Sequence, residues 1–379
     1  MNRIAWKMLT GDRAKYLGLI FGISFATLLM SQQVSIFIGL MTRTASQIVD
    51  VREADIWVMH PRVKYVDEIE ALPDVDLSRV RGVPGVAWAV PLFKGNAVIR
   101  SADGLVQQVI LMGLDDGTLV GRPPKVLLGS LVDLKRPNAL MMDASGWEFI
   151  WPGEPLSTGR IVEINDRRVE IVAIAQASPP FVTFPVVYTR YSEALRFTPP
   201  QRHKLSFVLA KAAPGVEPGE LARRISAETG LQALTWREFM WRSVRHYVQR
   251  TGIPVNFGIT VTLGFIVRAA VAAQTFYIFI LDNLKQFGAL KAIGVTDGQI
   301  LRMVILQALI VGTIGYCLGV GLCALFFYAT KDVSALRGFM LHGEVMAGTA
   351  AAVLVIMLLS SLASIRKVFV LDPAVVFRG

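Results

Sequence analysis

The chain has 379 residues, of which 53% are hydrophobic and 18% are charged, and its formal net charge is +10. Soluble domains carry about 25% charged residues, so this composition argues against a purely soluble protein. The apolar content excludes an intrinsically disordered chain, and two cysteines cannot build a disulfide scaffold. A basic excess on so apolar a chain indicates a membrane protein rather than a nucleic-acid binder.

The hydrophobicity is concentrated in four blocks. Residues 16–42, 303–330 and 345–365 contain no Asp, Glu, Lys or Arg, and residues 251–281 contain a single charge, Arg268. A membrane-spanning helix needs about 20 largely apolar residues, so each block is long enough to cross a bilayer. The sequence therefore predicts four transmembrane helices. The first block is too long for the apolar core of a secretory signal and favours an uncleaved anchor.

Lysine and arginine near the spans predict the orientation. They are frequent in the N-terminal amphipathic segment 1–15, in the loop 282–302 and in the tail 366–379, but not in the short loop 331–344. The positive-inside rule therefore places both termini and the loop 282–302 in the cytoplasm, and residues 43–250 in the periplasm. Four arginines just before the second span lie on the side predicted to be periplasmic, against this rule: Arg237, Arg242, Arg245 and Arg250. The rule has little force for long translocated domains such as residues 43–250.

Residues 43–250 have the composition of a soluble domain. Short β-rich runs separated by Pro and Gly predict strands at 55–59, 97–100, 106–111, 169–174 and 206–209. Helical patterns occur at 75–80 and 217–229, where Pro218 suits the first turn. Because strands and helices alternate without a strict βαβ rhythm, the sequence predicts a mixed α+β domain inserted between the first and second transmembrane helices.

The segment 236–248 has its own helical pattern. One face gathers its apolar residues, namely Trp236, Phe239, Met240, Val244 and Tyr247. This face indicates either a helix at the membrane surface or a stalk into the second span, or else an ordinary helix packed on its own domain. Proximity to the span favours the first interpretation.

No catalytic or metal site is apparent in the sequence. The G-x-x-x-x-G-K-[ST] phosphate loop and the G-x-S-x-G elbow do not occur, and the four histidines lack metal-ligand spacing. Cys317 and Cys323 lie in the third span at a spacing that suits neither a disulfide nor a metal. The segment 115–117, D-D-G, is typical of a turn. The sequence therefore predicts neither an enzyme nor a metal or cofactor bound by this chain.

The loop 282–302 predicts a short amphipathic helix. Leu284, Phe287, Leu290 and Lys291 recur at helical spacing, Gly294 suits the end of this helix, and we expect Asp297 to cap the next one. Such a helix between two spans presents a surface to a cytoplasmic partner, whereas a plain re-entry turn would need fewer residues and no apolar face.

The sequence of this loop resembles that of a known protein family. Residues 285–294, K-Q-F-G-A-L-K-A-I-G, resemble the coupling loop of FtsX/MacB-type ABC transporter permeases, and the whole chain is most similar to the DevC-like members. The tail L-D-P-A-V-V-F-R-G at 371–379, P-V-N-F-G at 254–258, and the basic N-terminus around Trp6 and Lys7 are also similar. One span, a large external domain and three further spans are the architecture of this family.

The resemblance implies a permease subunit in the bacterial inner membrane, surrounded by membrane lipids. It would form a homodimer and bind a separate ABC ATPase subunit, which holds the ATP. A periplasmic membrane-fusion protein and an outer-membrane channel would complete an exporter of lipids or other amphiphiles. The alternatives are an FtsX-like regulator of periplasmic cell-wall hydrolases and a lipoprotein-releasing permease. By position, the resemblance assigns the ATPase-coupling role to Lys285, Gln286, Phe287, Gly288, Leu290, Lys291 and Gly294.

Several residues within the spans are functional or packing candidates. In relatives a small residue, glycine by resemblance, is expected at Arg268, because small residues let membrane helices approach closely and the second span should face the dimer partner. An arginine near mid-span costs about 3 kcal/mol on insertion scales. This arginine would snorkel, pair with a group of another chain or lipid, or line a wet cavity, and an impairing or tolerated role is the alternative. Gln274 predicts an interhelical hydrogen bond. Gly315 and Gly319 form G-x-x-x-G, which indicates close helix packing or simply the frequency of glycine in membranes.

Overall fold

The structure is a computed structural model that describes residues 2–11, 13–182, 184–199, 205–331, 333, 336 and 338–369. The chain forms two compact units. The first, which we call the membrane unit, comprises Met1–Gly39, Gly252–Asp332 and Phe339–Gly379. The second, the α+β unit, comprises Leu40–Thr251 and Val333–Gly338. Each unit is described by itself.

The described part of the chain contains α-helices and β-strands in the following order. The helices are α1 (Asn2–Gly11), α2 (Arg13–Arg43), α3 (Ser46–Asp50), α4 (Asp74–Arg81), α5 (Ala144–Ile150), α6 (Tyr191–Phe197), α7 (Pro218–Thr229), α8 (Trp236–Arg250), α9 (Ile253–Asp282), α10 (Leu284–Ala292), α11 (Asp297–Ala329) and α12 (Gly343–Phe369). The strands are β1 (Ile56–Met59), β2 (Val86–Arg100), β3 (Val106–Leu114), β4 (Lys125–Gly129), β5 (Ala139–Asp143), β6 (Arg160–Ile164), β7 (Arg167–Gln176), β8 (Val186–Arg190), β9 (Phe207–Ala212) and β10 (Gln232–Thr235).

The membrane unit contains the apolar helices. Three described segments that lie wholly or mostly in this unit are long and apolar enough to cross a membrane, namely Tyr16–Arg43, Asp297–Ala329 and Gly343–Leu362. A fourth candidate is counted from Ile253–Val267 together with the preceding helix. Since α9 continues for 30 residues, or about 45 Å, it has the length to span by itself. The predicted fold class, apolar helices with a large α+β domain inserted after the first of them, is confirmed.

Helices α2 and α11 pack with unusually little space between their backbones. A Cβ atom placed on Gly319 would lie 2.5 Å from the carbonyl oxygen of Ser24 and 2.6 Å from the Cβ of Thr27. A Cβ atom on Gly315 would lie 2.7 Å from the Cβ of Ile23. All three distances are too short for a side chain at either glycine, so the G-x-x-x-G segment serves close helix packing, as the first of the two interpretations predicts.

The α+β unit is built on one continuous, mostly antiparallel sheet. Its strand order is β10-β1-β9-β2-β3-β8-β5-β7-β4, and β6 pairs with β2 and β7. The long strand β2 connects its two halves, because it pairs with β9 around Leu92 and Phe207 and with β3 from Phe93 onward. Parallel pairs join β3 to β8 and β5 to β7. Trp57, Phe207 and Phe239 are completely buried at the centre of one core cluster.

The predicted elements of this unit are confirmed where the sequence signals are strong. The predicted strands overlap β1, β2, β3, β7 and β9, and the predicted helices coincide with α4 and α7. Pro218 stands in the first turn of α7, and the side chain of Glu217 caps that turn by accepting from the backbone N–H groups of Gly219 and Glu220. Asp115 closes the predicted turn by accepting from the backbone N–H of Thr118 at 2.8 Å.

The interpretation that the apolar face of the segment 236–248 contacts the membrane is wrong, whereas the position of the helix directly before the second span is as predicted. The apolar face of α8 packs into the core of its own unit, where the ring of Phe239 lies 5.6 Å from that of Trp57 and Tyr247 is buried. The Thr235 hydroxyl and the Glu238 carboxylate start the helix as a reciprocal capping box. Because this apolar face is covered by protein, it is not the face that a membrane could contact.

Candidate coupling site

The short helix α10 is held between α9 and α11 by a specific C-terminal cap. Gly294 adopts a left-handed φ of +96°, which glycine accepts without a steric penalty. The N–H of Val295 donates to the carbonyl of Leu290 at 3.1 Å, and that of Gly294 donates to the carbonyl of Lys291 at 3.0 Å. This pair of bonds is a Schellman motif, and Leu290 and Val295 pack on the same apolar cluster beside it. Gly294 therefore ends the helix, as predicted.

An apolar cluster anchors the inner face of α10 to the membrane unit. Phe287 is completely buried in a cluster that includes Ile300 and Met303 of α11. Ala5 and Leu9 of α1 belong to the same cluster. The helix therefore cannot move far without moving the first turns of α11.

Polar contacts fix the turn between α10 and α11. The Lys291 ammonium lies 2.8 Å from the carboxylate of Asp297, the first residue of α11. Thr296, and not Asp297, is the N-cap, since it forms a reciprocal capping box with Gln299. Asp297 therefore pairs with the preceding helix and does not cap its own, which corrects the expectation for this residue.

The opposite side of the loop is exposed, and we call it the coupling surface: Lys285, Gln286, Ala292, Ile293 and Gly294. Ile293 is the most conspicuous member, because 81% of its surface is accessible. As the residue before a left-handed glycine, Ile293 is turned away from the cluster that holds Phe287. Sequence reasoning missed it although Ile293 continues the three-residue spacing of Phe287 and Leu290, because that spacing indicates a buried side chain. The available signal was its position directly before Gly294, where the chain leaves the helix.

The predicted coupling residues are thus brought to one loop but not to one face. Lys285, Gln286 and Gly294 are exposed, Leu290 and Lys291 are half-buried, and Phe287 and Gly288 are buried. Contact with an ATPase stays a prediction for all seven. Their burial indicates that Phe287 and Gly288 position the loop, whereas the coupling surface is available to a partner.

The intramembrane candidates both lie in α9. Arg268 is in the middle of this helix, and its side chain lies outside the described residues. Gln274 is exposed on the helix. Their roles stay predictions, as does the predicted similarity of the tail at 371–379, which also lies outside the described residues.

The fold and this loop define a class: a multi-span membrane protein with an inserted α+β domain and a capped, partly exposed helix between two later spans. Comparison with known families identifies the family within this class. The MacB-like periplasmic core domain matches residues 16–228, more than half of the chain, and the FtsX-like permease C-terminal domain matches residues 258–373. The chain belongs to the FtsX/MacB-type ABC transporter permeases.

Individual relatives agree with this assignment. An ABC transporter permease of Mycobacterium tuberculosis is 25% identical over 309 residues, which are 81% of this chain and 79% of the relative. A second ABC transporter permease of that species is 32% identical over 124 residues, which are 32% of this chain and 33% of the relative.

Solved structures of two extracytoplasmic domains are also similar. The periplasmic region of MacB from Actinobacillus actinomycetemcomitans is 12% identical, with a TM-score of 0.39, and the alignment covers 54% of this chain and 96% of that one. The extracellular domain of the transporter YknZ from Gram-positive bacteria is 16% identical, with a TM-score of 0.35, covering 48% and 98%.

Proposed function

We propose that this permease is the transmembrane subunit of an ABC exporter of the DevC-like type, which acts as a homodimer in the bacterial inner membrane. Two copies of a separate ATPase subunit bind at the cytoplasmic coupling surfaces and supply the ATP sites. The α+β unit works on the periplasmic side with a membrane-fusion protein and an outer-membrane channel. The substrates are lipids or other amphiphiles.

The exposed Ile293 is the observation that carries the ATPase contact. An isoleucine that is 81% accessible on a structured loop leaves its apolar surface in water, where covering it is favourable by about 25 cal/mol per Å². Lys285 and Gln286 add a polar rim on the same loop. An apolar anchor with a polar rim is the arrangement that protein interfaces use.

The contacts behind the coupling surface provide a path by which movement of α10 is transmitted to the α+β unit. A displacement of α10 reaches α11 through Phe287 in the apolar cluster and through the Lys291–Asp297 ion pair. Helix α11 is in turn closely packed on α2 at Gly315 and Gly319. Because α2 continues directly into α3, its movement acts on the α+β unit through the chain itself.

The test is the variant Ile293→Asp, purified in mild detergent with its ATPase subunit. We expect recovery of the ATPase to fall about tenfold or more, because a charge replaces the apolar anchor at the contact. Val132→Asp is the matched control, since Val132 is 66% accessible but belongs to the α+β unit. Equal recovery of the ATPase with both variants would contradict the proposed contact.

The same purification separates the exporter from its alternatives. Recovery of a membrane-fusion protein with the wild-type complex supports the exporter. Recovery of a cell-wall hydrolase supports the FtsX-like regulator instead, and release of lipoproteins from vesicles supports the lipoprotein-releasing permease. The size of the α+β unit favours the first, because the sheet of ten strands offers a large docking surface.

A further inference from the structure

The outer face of α8 carries an unusual combination of residues. With its apolar face buried, the helix exposes Arg237, Trp241, Arg245 and Val248, which lie four, four and three residues apart. At 100° per residue they form one narrow line, which we call the arginine–tryptophan stripe. Trp241 is 62% accessible, a large exposure for the residue type with the largest apolar surface.

The charges of the stripe are not balanced by the helix. Helix α8 contains four arginines but one acidic residue, Glu238, which is engaged in the capping box with Thr235. Arg242, on the inner side, contacts the side-chain amide of Gln232. Arg237 and Arg245 form no ion pair with any residue that the structure describes. Eight other arginines of the α+β unit are paired with carboxylates, namely Arg79, Arg100, Arg122, Arg136, Arg160, Arg190, Arg196 and Arg224. Unpaired arginines also occur elsewhere in the described part of this unit, for example Arg167 and Arg168, but without an exposed tryptophan in the same line.

The position of the stripe along the chain brings it to a membrane. Only Thr251 and Gly252 separate the last residue of α8 from the first residue of α9. Two linking residues span about 10 Å at most, so Arg250 stays within about that distance of the start of an apolar helix. At 1.5 Å per residue, Trp241 lies about 14 Å along α8 from Arg250.

We propose that the arginine–tryptophan stripe binds the membrane surface next to α9, with Trp241 between the headgroups and Arg237 and Arg245 on anionic phospholipids. Tryptophan is enriched at this depth of a bilayer because its ring is apolar and its N–H is polar. The guanidinium group binds phosphate through two parallel hydrogen bonds. The α+β unit is thereby attached to lipid headgroups in addition to its covalent links.

The charges favour lipid over a second copy of the chain. A symmetric contact through the stripe would bring arginines of one copy against arginines of the other, and like charges across an interface are unfavourable. An anionic lipid surface instead attracts each nearby arginine, with a gain of about fivefold in binding per residue.

The experiment uses the full chain in lipid nanodiscs and reads the fluorescence of Trp241 itself. Quenching by lipids brominated near the headgroup is measured for the wild type and for Trp241→Phe, and the difference isolates Trp241. The same subtraction with Trp147→Phe reports a tryptophan that is completely buried. We expect Trp241 to be quenched and Trp147 not to be.

Charge reversal then tests the arginines. In Arg237→Glu/Arg245→Glu, the quenching of Trp241 should fall at least twofold in anionic nanodiscs. It should be unchanged in Arg167→Glu/Arg168→Glu, which reverses two exposed arginines elsewhere in the unit. Quenching should also weaken when salt rises from about 0.01 M to about 1 M, which shortens the screening length from about 30 Å to about 3 Å.

Several results would overturn the proposal. One is a Trp241 that lipids do not quench in the wild type, and another is equal quenching in the two charge-reversed variants. Quenching that is the same with zwitterionic and anionic lipids would exclude the role of the arginines. Trp241 protected from a water-soluble quencher but not reached by brominated lipid would indicate a protein partner instead. The proposal requires that α9 spans the membrane and does not depend on the exporter function.

Discussion

The two units of this permease are stabilised internally by different kinds of interaction. The α+β unit has apolar cores and buries a charged group in a network of polar partners around Lys94. The membrane unit relies on close backbone approach and single side-chain hydrogen bonds, and the ion pair of its described residues, Lys291 with Asp297, lies in the loop outside the apolar stretches. The difference follows from the solvent, because burial in lipid offers no hydrophobic gain between helices.

The polar network of the α+β unit is centred on Asp67. The buried Lys94 ammonium donates to the Asp67 carboxylate at 2.5 Å and to the carbonyl of Val66 at 2.8 Å. The Tyr247 hydroxyl donates to the other carboxylate oxygen at 2.9 Å. Burial lowers the pKa of Lys94, and Asp67 partly offsets this effect. Burial and the same carboxylate raise the pKa of Tyr247. Asp67 thereby ties β2 to α8.

The largest predicted effect is that of Asp67→Asn. Removing the carboxylate leaves Lys94 buried without its counter-charge, so we expect a loss of about 3 kcal/mol in the free energy of unfolding. Asp166→Asn is the control, because Asp166 is 88% exposed and lies 3.8 Å from its partner Arg100. Thermal unfolding of the purified chain measures both variants. A loss below about 1 kcal/mol for Asp67→Asn would show that the network contributes little.

The loss in the free energy of unfolding caused by Asp67→Asn should also depend on pH. Because the folded-state pKa of Lys94 is lowered, the unfolded chain binds more protons between that pKa and the unfolded value of about 10.4. Stability therefore rises with pH across this window, and more so in the variant, where no carboxylate supports the charged lysine. The difference in the free energy of unfolding between the variant and the wild type should therefore narrow as the pH rises from neutral towards the unfolded-state pKa of lysine, about 10.4.

The second prediction concerns packing in the membrane unit. Gly319→Leu places side-chain atoms where the backbone of Ser24 and the Cβ of Thr27 already lie, so α2 and α11 must separate. We expect a loss of about 2 kcal/mol, the usual cost of overpacking. Gly321→Leu, two residues along the same helix, meets open space and should cost much less. Steric trapping of unfolding in bicelles compares the two, and equal losses would exclude a specific contact at Gly319.

Sequence reasoning succeeds in this protein where the signal is local. Uncharged runs predict the apolar helices, and Pro218 with Glu217 predicts the start of α7. The short strand β10 could not be predicted, because the four residues Gln232–Thr235 are ordered by pairing with β1, which is far away in sequence. Helical periodicity identifies the buried faces of α8 and α10 correctly, but it does not say what covers them.

Because periodicity does not show what covers an apolar face, neither the exposed Ile293 of the coupling surface nor the arginine–tryptophan stripe could be predicted from the sequence. The apolar residues of α8 and α10, such as Phe239 and Phe287, are covered by their own units. The residues left for partners are two exposed apolar side chains, Ile293 after the last turn of α10 and Trp241 among the arginines of α8. Neither position follows from periodicity, since exposure of an apolar residue depends on contacts that other parts of the chain provide.

The smallest predicted effect tests the value of a single hydrogen bond in the membrane unit. The Gln307 side chain is completely buried in α11 and donates through Nε2 to the carbonyl of Ala5 in α1 at 2.9 Å. Its Oε1 is buried without a partner among the described residues, which offsets part of the gain. Gln307→Met keeps the volume and removes both groups, so we expect a loss of about 0.6 kcal/mol. Gln286→Met, on the exposed side of α10, is the comparison for a polar side chain already in contact with water. Steric trapping in bicelles measures both glutamine variants. If Gln307→Met lowers the free energy of unfolding by as much as Asp67→Asn does, polar contacts stabilise both units equally, and the solvent does not explain the contrast between the units.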